Sequence, residues 1–164
     1  MTKLLFVCLG NICRSPTAEG VMAALVTHAG KSKEIHCDSA GTGGWHEGEH
    51  ADARMHNHAH RRGYELTSRS RPLRASDFAE FDLILTMDER NFRDVKSRIP
   101  QTPHHAQVRR MTDFCREHFE QEVSDPYYGG DQGFEQVLDL LEDACSGLLD
   151  HLEGRYDPGS PKQN

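Results

Sequence analysis

Short apolar runs alternate with stretches of helical periodicity along most of the chain. Four apolar runs are predicted to be strands, namely residues 3–8, 35–40, 81–86 and, more weakly, 106–111. Between the first two runs, apolar residues recur at three- and four-residue spacing, which predicts a helix from about Pro16 to about Gly30. Alternating strands and helices indicate an α/β fold, in which helices cover both faces of a parallel sheet and ligands bind at the carboxyl ends of the strands.

The last predicted helix has the strongest pattern, because its apolar positions from Phe134 to Leu152 fall on one stripe. Other helices are predicted at residues 51–62, after Ser76, and from Asp88 to just before Pro100. These elements predict one domain over residues 1–154. Residues 155–164 are polar and contain two prolines, so they are predicted to form a frayed tail.

Composition narrows the class of protein. A length of 164 residues fits one domain, and 19 basic against 26 acidic residues give a net charge of −7. This charge argues against nucleic acid or an anionic membrane as the main partner. The apolar stretch at residues 4–9 is too short for a membrane-spanning helix or a signal peptide. Five cysteines without a CxxC pair indicate reduced thiols, so we expect a soluble, cytoplasmic protein.

Cys8 and Arg14 stand six positions apart across the predicted turn from the first strand to the first helix. In such a turn, successive backbone N–H groups converge on one point, and the helix N-terminus adds positive potential. Gly10 and Asn11 are the residues best able to adopt the left-handed backbone that turns these N–H groups inward. The planar guanidinium of Arg14 would grip two phosphate oxygens. The turn is therefore predicted to bind an anion; the alternative is a buried strand-end thiol beside a surface arginine.

Cys8 would lie at the bottom of this anion site, where the helix N-terminus and a nearby cation favour a nucleophilic thiolate. Ser15 can donate a hydrogen bond to that thiolate, which would also make it a better leaving group in a second step. The loop lacks the Gly-Lys-Ser/Thr sequence of a nucleotide-binding P-loop. The residues by themselves thus predict a nucleophilic cysteine that acts on a phosphate-like anion.

Histidine is abundant in one part of the chain. Five histidines fall within fifteen residues, namely His46, His50, His56, His58 and His60. His56 and His60 lie one helical turn apart, a spacing that could hold a metal ion. No nearby cysteine or carboxylate pattern completes such a site, so we interpret these histidines as solvated side chains.

Three motifs together resemble the low-molecular-weight protein tyrosine phosphatase family. They are CLGNICRSP from Cys8, DSAGT from Asp38 and DPYYGG from Asp125, and their order and spacing agree with the family up to about Leu152. The resemblance implies a single three-layer domain, with a four-stranded parallel sheet flanked by helices on both faces. It also implies hydrolysis of phosphotyrosine through a cysteinyl-phosphate intermediate, without a metal ion or other cofactor.

The resemblance also assigns roles to individual residues. Cys8 would be the nucleophile, Arg14 the phosphate clamp, and Asp125 the general acid that protonates the leaving phenolate and then activates water. Ser39 would brace the phosphate loop, and Trp45, Tyr127 and Tyr128 would line the substrate cleft. The other residues of the phosphate loop are Leu9, Gly10, Asn11, Ile12, Cys13 and Ser15, of which Asn11 shapes the loop and Ser15 assists the thiolate.

Three other readings stay open from the sequence. Arsenate reductases of this fold need two further cysteines, and residues 86–89 contain none. A branch that acts on phosphoarginine has Thr at the position of Ile12, whose apolar side chain favours an aryl group. A non-catalytic phosphate-binding module is the third reading, although Cys8, Arg14 and Asp125 are all present.

Cys13 shares the loop with Cys8 and is either a redox partner, which would protect Cys8 by forming a reversible disulfide, or a small filler. The expected partner of the whole site is a phosphotyrosine-containing protein or an aryl phosphate, with inhibition by phosphate-like oxyanions. We expect a monomer that binds neither nucleic acid nor membrane.

Overall fold

The computed structural model describes residues 1–159. Within this range the elements are β1 Thr2–Cys8, α1 Arg14–His28, β2 Ile35–Gly41, α2 Ala53–Arg61, α3 Asp77–Glu80, β3 Leu83–Thr86, α4 Glu89–Ser97, β4 Gln107–Arg110, a 3₁₀ turn Met111–Phe114, and α5 Asp131–Leu152. Strands and helices alternate in the order that the apolar pattern predicts.

The four strands form one sheet in the order β2-β1-β3-β4, and every pair is parallel. Cys8 at the end of β1 pairs with Gly41 of β2, and Val7 pairs with Thr86 of β3. The carboxyl ends of these three strands therefore meet at one edge of the sheet. The predicted fold class, a four-stranded parallel sheet in a single α/β domain, is confirmed.

Helices cover both faces of the sheet because β1 alternates between two hydrophobic cores. Leu4 and Phe6 face the core that contains α1, α2 and α5, whereas Leu5 and Val7 face the core that contains α3 and α4. All four side chains are fully buried, and a buried side chain of this size contributes about 1.5–3 kcal/mol to folding. The three-layer arrangement follows from this period-two alternation.

Two of the element boundaries that differ from the predicted ones have local reasons. The third strand begins at Leu83 because the N–H of Phe81 closes α3 on the carbonyl of Asp77. Helix α5 begins at Asp131, three residues before its apolar stripe, because its first turn extends into solvent. The stripe itself is confirmed, since Phe134 and the apolar residues that follow it are buried.

The interpretation of the histidines as solvated side chains is wrong for His58. Its residue surface is only 5% exposed, and its ring stacks on Phe134 of α5, with ring centroids 5.3 Å apart. His58 shares the inward face of α2 with Met55 and Ala59, at helical spacing, and this face packs against α5. The position on the helix, rather than the residue type, decides the burial.

The segment that follows α5 touches the domain. The guanidinium of Arg116 lies over the ring of Tyr156, 5.3 Å from its centroid, and Arg109 donates to the carbonyl of Gly159 at 3.3 Å. Residues 160–164 of the predicted frayed tail lie outside the described residues, so the division at residue 154 stays a prediction. Across residues 1–159, no helix is both long enough and apolar enough to cross a membrane.

Candidate active site

The loop from Cys8 to Ser15, here called the phosphate loop, joins the end of β1 to the start of α1. Asn11 has φ +56, and it is the one residue other than glycine in the described chain with a left-handed backbone. Its buried side chain holds this conformation: Oδ1 accepts from the N–H of Arg71 at 3.0 Å, and Nδ2 donates to Ser15 and Ser39 at 2.7 and 3.0 Å. These bonds offset a strained backbone that costs about 1–3 kcal/mol.

Gly10 does not adopt the left-handed backbone that we predicted for it. Its small size serves a close approach instead, because a Cβ on Gly10 would lie 3.0 Å from Cδ2 of His46. Ser70 fixes the same residue by donating its hydroxyl to the Gly10 carbonyl at 3.0 Å. The phosphate loop is therefore shaped by one left-handed residue and by contacts from segments distant in the sequence.

Cys8 is buried, with its Sγ 3.1 Å from Oγ of Ser15. Ser15 Oγ accepts from Asn11, and its hydroxyl hydrogen has two acceptors in reach, the sulfur at 3.1 Å and the carbonyl of Ala40 at 3.4 Å. Ser39 lies behind this pair, as predicted: it accepts from Asn11 and donates to the carboxylate of Glu19 at 2.6 Å. A continuous chain of hydrogen bonds thus supports the thiol from below.

Arg14 is the largest fully buried side chain of the described residues. Its NH1 group donates to Oδ2 of Asp88 at 2.6 Å and to the carbonyl of Val123 at 3.0 Å, and NH2 lies 3.6 Å from Oδ2 of Asp125. Burial by itself would lower the pKa of Arg14, but Cys8 and Asp88 outweigh burial and raise it. The guanidinium is therefore charged, and NH1 spends both hydrogens on protein, which leaves Nε and NH2 for an oxyanion.

The loop of residues 125–128, here called the Asp125 loop, covers the phosphate loop from the other side. Asp125 accepts from the N–H of Tyr127 at 3.0 Å through Oδ1, and its side chain is 38% exposed. Pro126 restricts Asp125 to an extended backbone. The rings of Tyr127 and Tyr128 meet edge to face, with centroids 4.9 Å apart. A carboxyl group with access to water thus faces the guanidinium of Arg14 and lines the same cleft as Cys8.

These parts enclose one cleft of about 430 Å³. The residues that line it are Cys8, Leu9, Gly10, Ile12, Cys13, Arg14, Trp45, His46, Asp125, Tyr127 and Tyr128. All residues that we predicted for the site are lining residues except Asn11, Ser15 and Ser39, which support the loop from beneath. Trp45 and Tyr128 stand at the rim and are 70% and 92% exposed. The cleft therefore has Cys8 and Arg14 among its lining residues and aromatic side chains at its rim.

Several residues of the site were not predicted from the sequence. Asp88 was recognised as the start of a helix but not as the partner of Arg14. Ser70 and Arg71 lie in a stretch that carried no signal, and His46 was counted only among the abundant histidines. Each of the four comes from a distant segment, so its contact depends on the tertiary fold and leaves no local pattern.

Cys13 is a second buried thiol of the phosphate loop. Burial, followed by the negative charges of Asp52, Cys8 and Asp125, raises the pKa of Cys13 well above its usual range. Cys13 is therefore a neutral thiol at physiological pH and not a second nucleophile. Within residues 1–159, no group of three or more His, Cys, Asp or Glu side chains is arranged to hold a metal ion.

Comparison with known proteins gives the same assignment along most of the chain. Residues 3–156 match the family model described as low molecular weight phosphotyrosine protein phosphatase. A Synechocystis protein, provisionally named a low molecular weight protein-tyrosine-phosphatase, is 51% identical over 150 residues, which cover 92% of this chain and 96% of the relative.

Solved structures show the same likeness in three dimensions. The crystal structure of an Entamoeba histolytica protein tyrosine phosphatase is 47% identical, with a TM-score of 0.91, and the match covers 94% of this chain and 98% of that one. A Drosophila arginine phosphatase is 29% identical, with a TM-score of 0.86, over 93% of this chain and 98% of that one. The fold therefore occurs in proteins named as tyrosine phosphatases and in one named as an arginine phosphatase.

Proposed function

Because the chain belongs to the low molecular weight phosphotyrosine protein phosphatase family, we propose that it hydrolyses phosphotyrosine in proteins through a phosphocysteine intermediate on Cys8. One observation carries the proposal. Cys8, Arg14 and Asp125 come from three separate parts of the chain and line a single cleft. Their side chains supply the nucleophile, the anion clamp and the proton donor that the reaction needs.

In the first step the Cys8 thiolate attacks phosphorus, the bond to the tyrosyl oxygen breaks, and Asp125 gives its proton to that oxygen. Nε and NH2 of Arg14 hold two equatorial oxygens while NH1 stays on Asp88. Backbone N–H groups of the phosphate loop hold the remaining charge. Tyrosine leaves, and the phosphoryl group remains on sulfur.

In the second step a water molecule attacks phosphorus, and the Asp125 carboxylate takes its proton. The bond between phosphorus and sulfur breaks, so inorganic phosphate leaves and the Cys8 thiolate returns. The hydroxyl of Ser15, 3.1 Å from the sulfur, stabilises the negative charge as it forms. Atoms and charges balance without a metal ion.

The walls of the cleft favour an aryl phosphate. Ile12 is apolar, and the exposed faces of Trp45 and Tyr128 can stack on a phenyl ring. Phosphoarginine is the second candidate substrate, supported by the similarity to the Drosophila arginine phosphatase. The guanidinium of phosphoarginine would find fewer polar partners at Ile12 than at a threonine, so we place phosphotyrosine first.

We also propose that the enzyme is a cytoplasmic monomer that takes part in signalling and is inhibited by phosphate-like oxyanions. Five free cysteines support a reducing compartment. The net charge of −7 supports a partner other than nucleic acid or an anionic membrane.

The test measures phosphate release in the presence of EDTA, from a phosphotyrosine peptide and from phosphoarginine side by side. Wild type is compared with Cys8→Ser and Asp125→Asn. We expect release from the phosphotyrosine peptide that vanishes in Cys8→Ser. Cleavage of phosphoarginine alone would transfer the protein to the second substrate class, and silence on both would leave a phosphate-binding module.

A further inference from the structure

Arg54 lies at the start of α2, beside the cleft but outside its lining residues. We propose that Arg54 is a positioning residue that holds the Asp125 loop in register with the phosphate loop. The inference rests on the proposed function, because it concerns the proton donor of that reaction.

The start of α2 is fixed to the phosphate loop. The N–H of Asp52, the N-cap residue of α2, donates to the carbonyl of Ile12 at 2.8 Å. The Asp52 carboxylate caps the helix by accepting from the N–H groups of Arg54 and Met55 at 2.9 and 3.3 Å. The backbone of Arg54 therefore has a set distance from the phosphate loop.

The side chain of Arg54 then reaches the Asp125 loop. Its NH2 group donates to the carbonyl of Tyr127 at 3.0 Å, and its guanidinium carbon lies 5.2 Å from the centroid of the Tyr127 ring. The same carbon lies 5.0 Å from the ring centroid of Phe134 in α5. One cation thus contacts two aromatic rings from different elements, an attraction that does not depend on a single hydrogen bond.

Asp52 keeps this guanidinium in one orientation. Nε and NH2 of Arg54 donate to the two carboxylate oxygens of Asp52 at 3.2 and 3.1 Å. Partial burial opposes ionisation, but the hydrogen bonds from Arg54 and from the backbone lower the pKa of Asp52. The pair is therefore ionised throughout the neutral range, and the fork geometry gives Arg54 little freedom to rotate.

The contact between Arg54 and Tyr127 also positions Asp125, the proposed proton donor. The N–H of Tyr127 donates to Oδ1 of Asp125 at 3.0 Å, so the carboxyl group follows the backbone that Arg54 holds. The connection runs from Ile12 through Asp52, Arg54 and Tyr127 to Asp125. Arg54 is absent from the lining of the cleft, and its side chain reaches the site through the carbonyl and the ring of Tyr127.

The experiment compares Arg54→Ala with Arg61→Ala, a control that removes an exposed arginine from the same helix. Two substrates are used: a phosphotyrosine peptide, whose leaving group needs a proton, and dinitrophenyl phosphate, whose leaving group does not. General acid catalysis contributes about 10²–10⁴-fold, and a misplaced donor loses part of it, so we expect kcat/KM on the peptide to fall about tenfold in Arg54→Ala. On dinitrophenyl phosphate we expect less than about a twofold change in kcat/KM, because kcat/KM reports the formation of phosphocysteine and not its hydrolysis, in which Asp125 acts on both substrates alike. Arg61→Ala should match wild type.

Two further variants separate positioning from a general structural role. In an Asp125→Asn background, Arg54→Ala should cause no further loss on the peptide, because the group that it positions is already absent. Asp52→Asn retains a capping side chain but removes the charge that orients Arg54, so it should reproduce part of the effect. Thermal unfolding of each variant shows whether the fold is intact, and Asp52→Asn carries the test if Arg54→Ala does not fold.

The outcomes that would overturn the inference are specific. Equal losses of kcat/KM on both substrates, or a loss that adds to that of Asp125→Asn, would show that Arg54 does not act through the proton donor. If wild type itself does not cleave the phosphotyrosine peptide, the proposed function fails. An active wild type with an unaffected Arg54→Ala variant instead rejects only the positioning role.

Discussion

Asp88 has two separate tasks, and a pair of substitutions can measure each. Its Oδ2 accepts from NH1 of Arg14 at 2.6 Å, whereas its Oδ1 accepts from the N–H of Asn91 at 2.7 Å and so caps α4. Oδ1 of Asn91 in turn accepts from the N–H of Asp88, which completes a capping box. Asp88→Ala removes both tasks. Asp88→Asn has a single accepting oxygen, so it can accept from Arg14 or from the N–H of Asn91 but not from both.

The magnitudes follow from burial and charge. The Arg14 side chain is 2% exposed and that of Asp88 is 20% exposed, so solvent screens their bond only weakly. A hydrogen bond between charged groups contributes about 1.5–3 kcal/mol. Losing this bond should cost at most about 3 kcal/mol of stability, the lower end of the cost of breaking a buried ion pair, because Arg14 keeps Val123 and Asp125 as partners. Asp88→Ala adds the loss of the cap, about 1 kcal/mol.

The same energies appear in catalysis if Asp88 orients the clamp. A loss of about 1.5–3 kcal/mol in transition-state binding corresponds to a fall of about 10–100-fold in kcat/KM. Inhibition by inorganic phosphate should weaken in parallel, because Arg14 binds oxyanions in both cases. The assays are kcat/KM on a phosphotyrosine peptide, the inhibition constant of phosphate, and urea unfolding of both variants.

The reasoning would be refuted by a dissociation of these measurements. If Asp88→Asn loses stability but keeps kcat/KM and phosphate inhibition within about twofold of wild type, Asp88 supports only α4. If Asp88→Asn and Asp88→Ala have equal stability, the cap contributes nothing. Either result would contradict the geometry of the Asp88 carboxylate.

Three other predictions test packing, charge and redox chemistry. A Cβ on Gly147 would lie 1.9 Å from the carbonyl oxygen of Phe114, so Gly147→Ala should lower the free energy of unfolding in urea by about 3 kcal/mol or more. A Cβ on Gly133 in the same helix would make only ordinary contacts, so Gly133→Ala should be neutral or stabilising by up to about 1 kcal/mol. The hydrogen bond from His118 to Asp143 raises the pKa of His118, so His118→Gln should destabilise by up to about 1 kcal/mol at about pH 5.5, and the difference should vanish as the pH rises through that raised pKa. After peroxide treatment, a thiol reductant should restore the activity of wild type but not of Cys13→Ser if Cys13 protects Cys8, and equal recovery would make Cys13 a filler.

Much of the fold was predictable because apolar spacing reports burial directly. The runs at β1 and β3 and the long stripe of α5 are continuous or strongly periodic, so their type and direction followed from the sequence. The order β2-β1-β3-β4 was not predicted, since no local feature states which strands are neighbours. The boundaries of β3 and α5 depend on single hydrogen bonds and on solvent, and neither is visible as periodicity.

The site divides in the same way. Residues of the phosphate loop are consecutive, so their chemistry was visible as a motif, and Asp125 was found through a second motif. Asp88, Ser70 and Arg54 contact residues 60 or more positions away, and Asp, Ser and Arg are common on any surface. The left-handed backbone was attributed to both Gly10 and Asn11, but only Asn11 needs it. The absence of a side chain at Gly10 leaves room for the ring of His46, a contact that the sequence does not reveal.

The central place of β1 in the sheet has a consequence for how the molecule opens. β1 is paired on both sides, and its residues from Leu4 to Cys8 are buried, so its amide hydrogens should exchange with deuterium only when the whole domain unfolds. The Asp125 loop lies at the solvent-facing rim and should exchange through small local openings. Cys8 and Asp125 therefore belong to parts of the molecule with different protection, so the exposed loop can open to solvent without disturbing the strand that ends at the thiol.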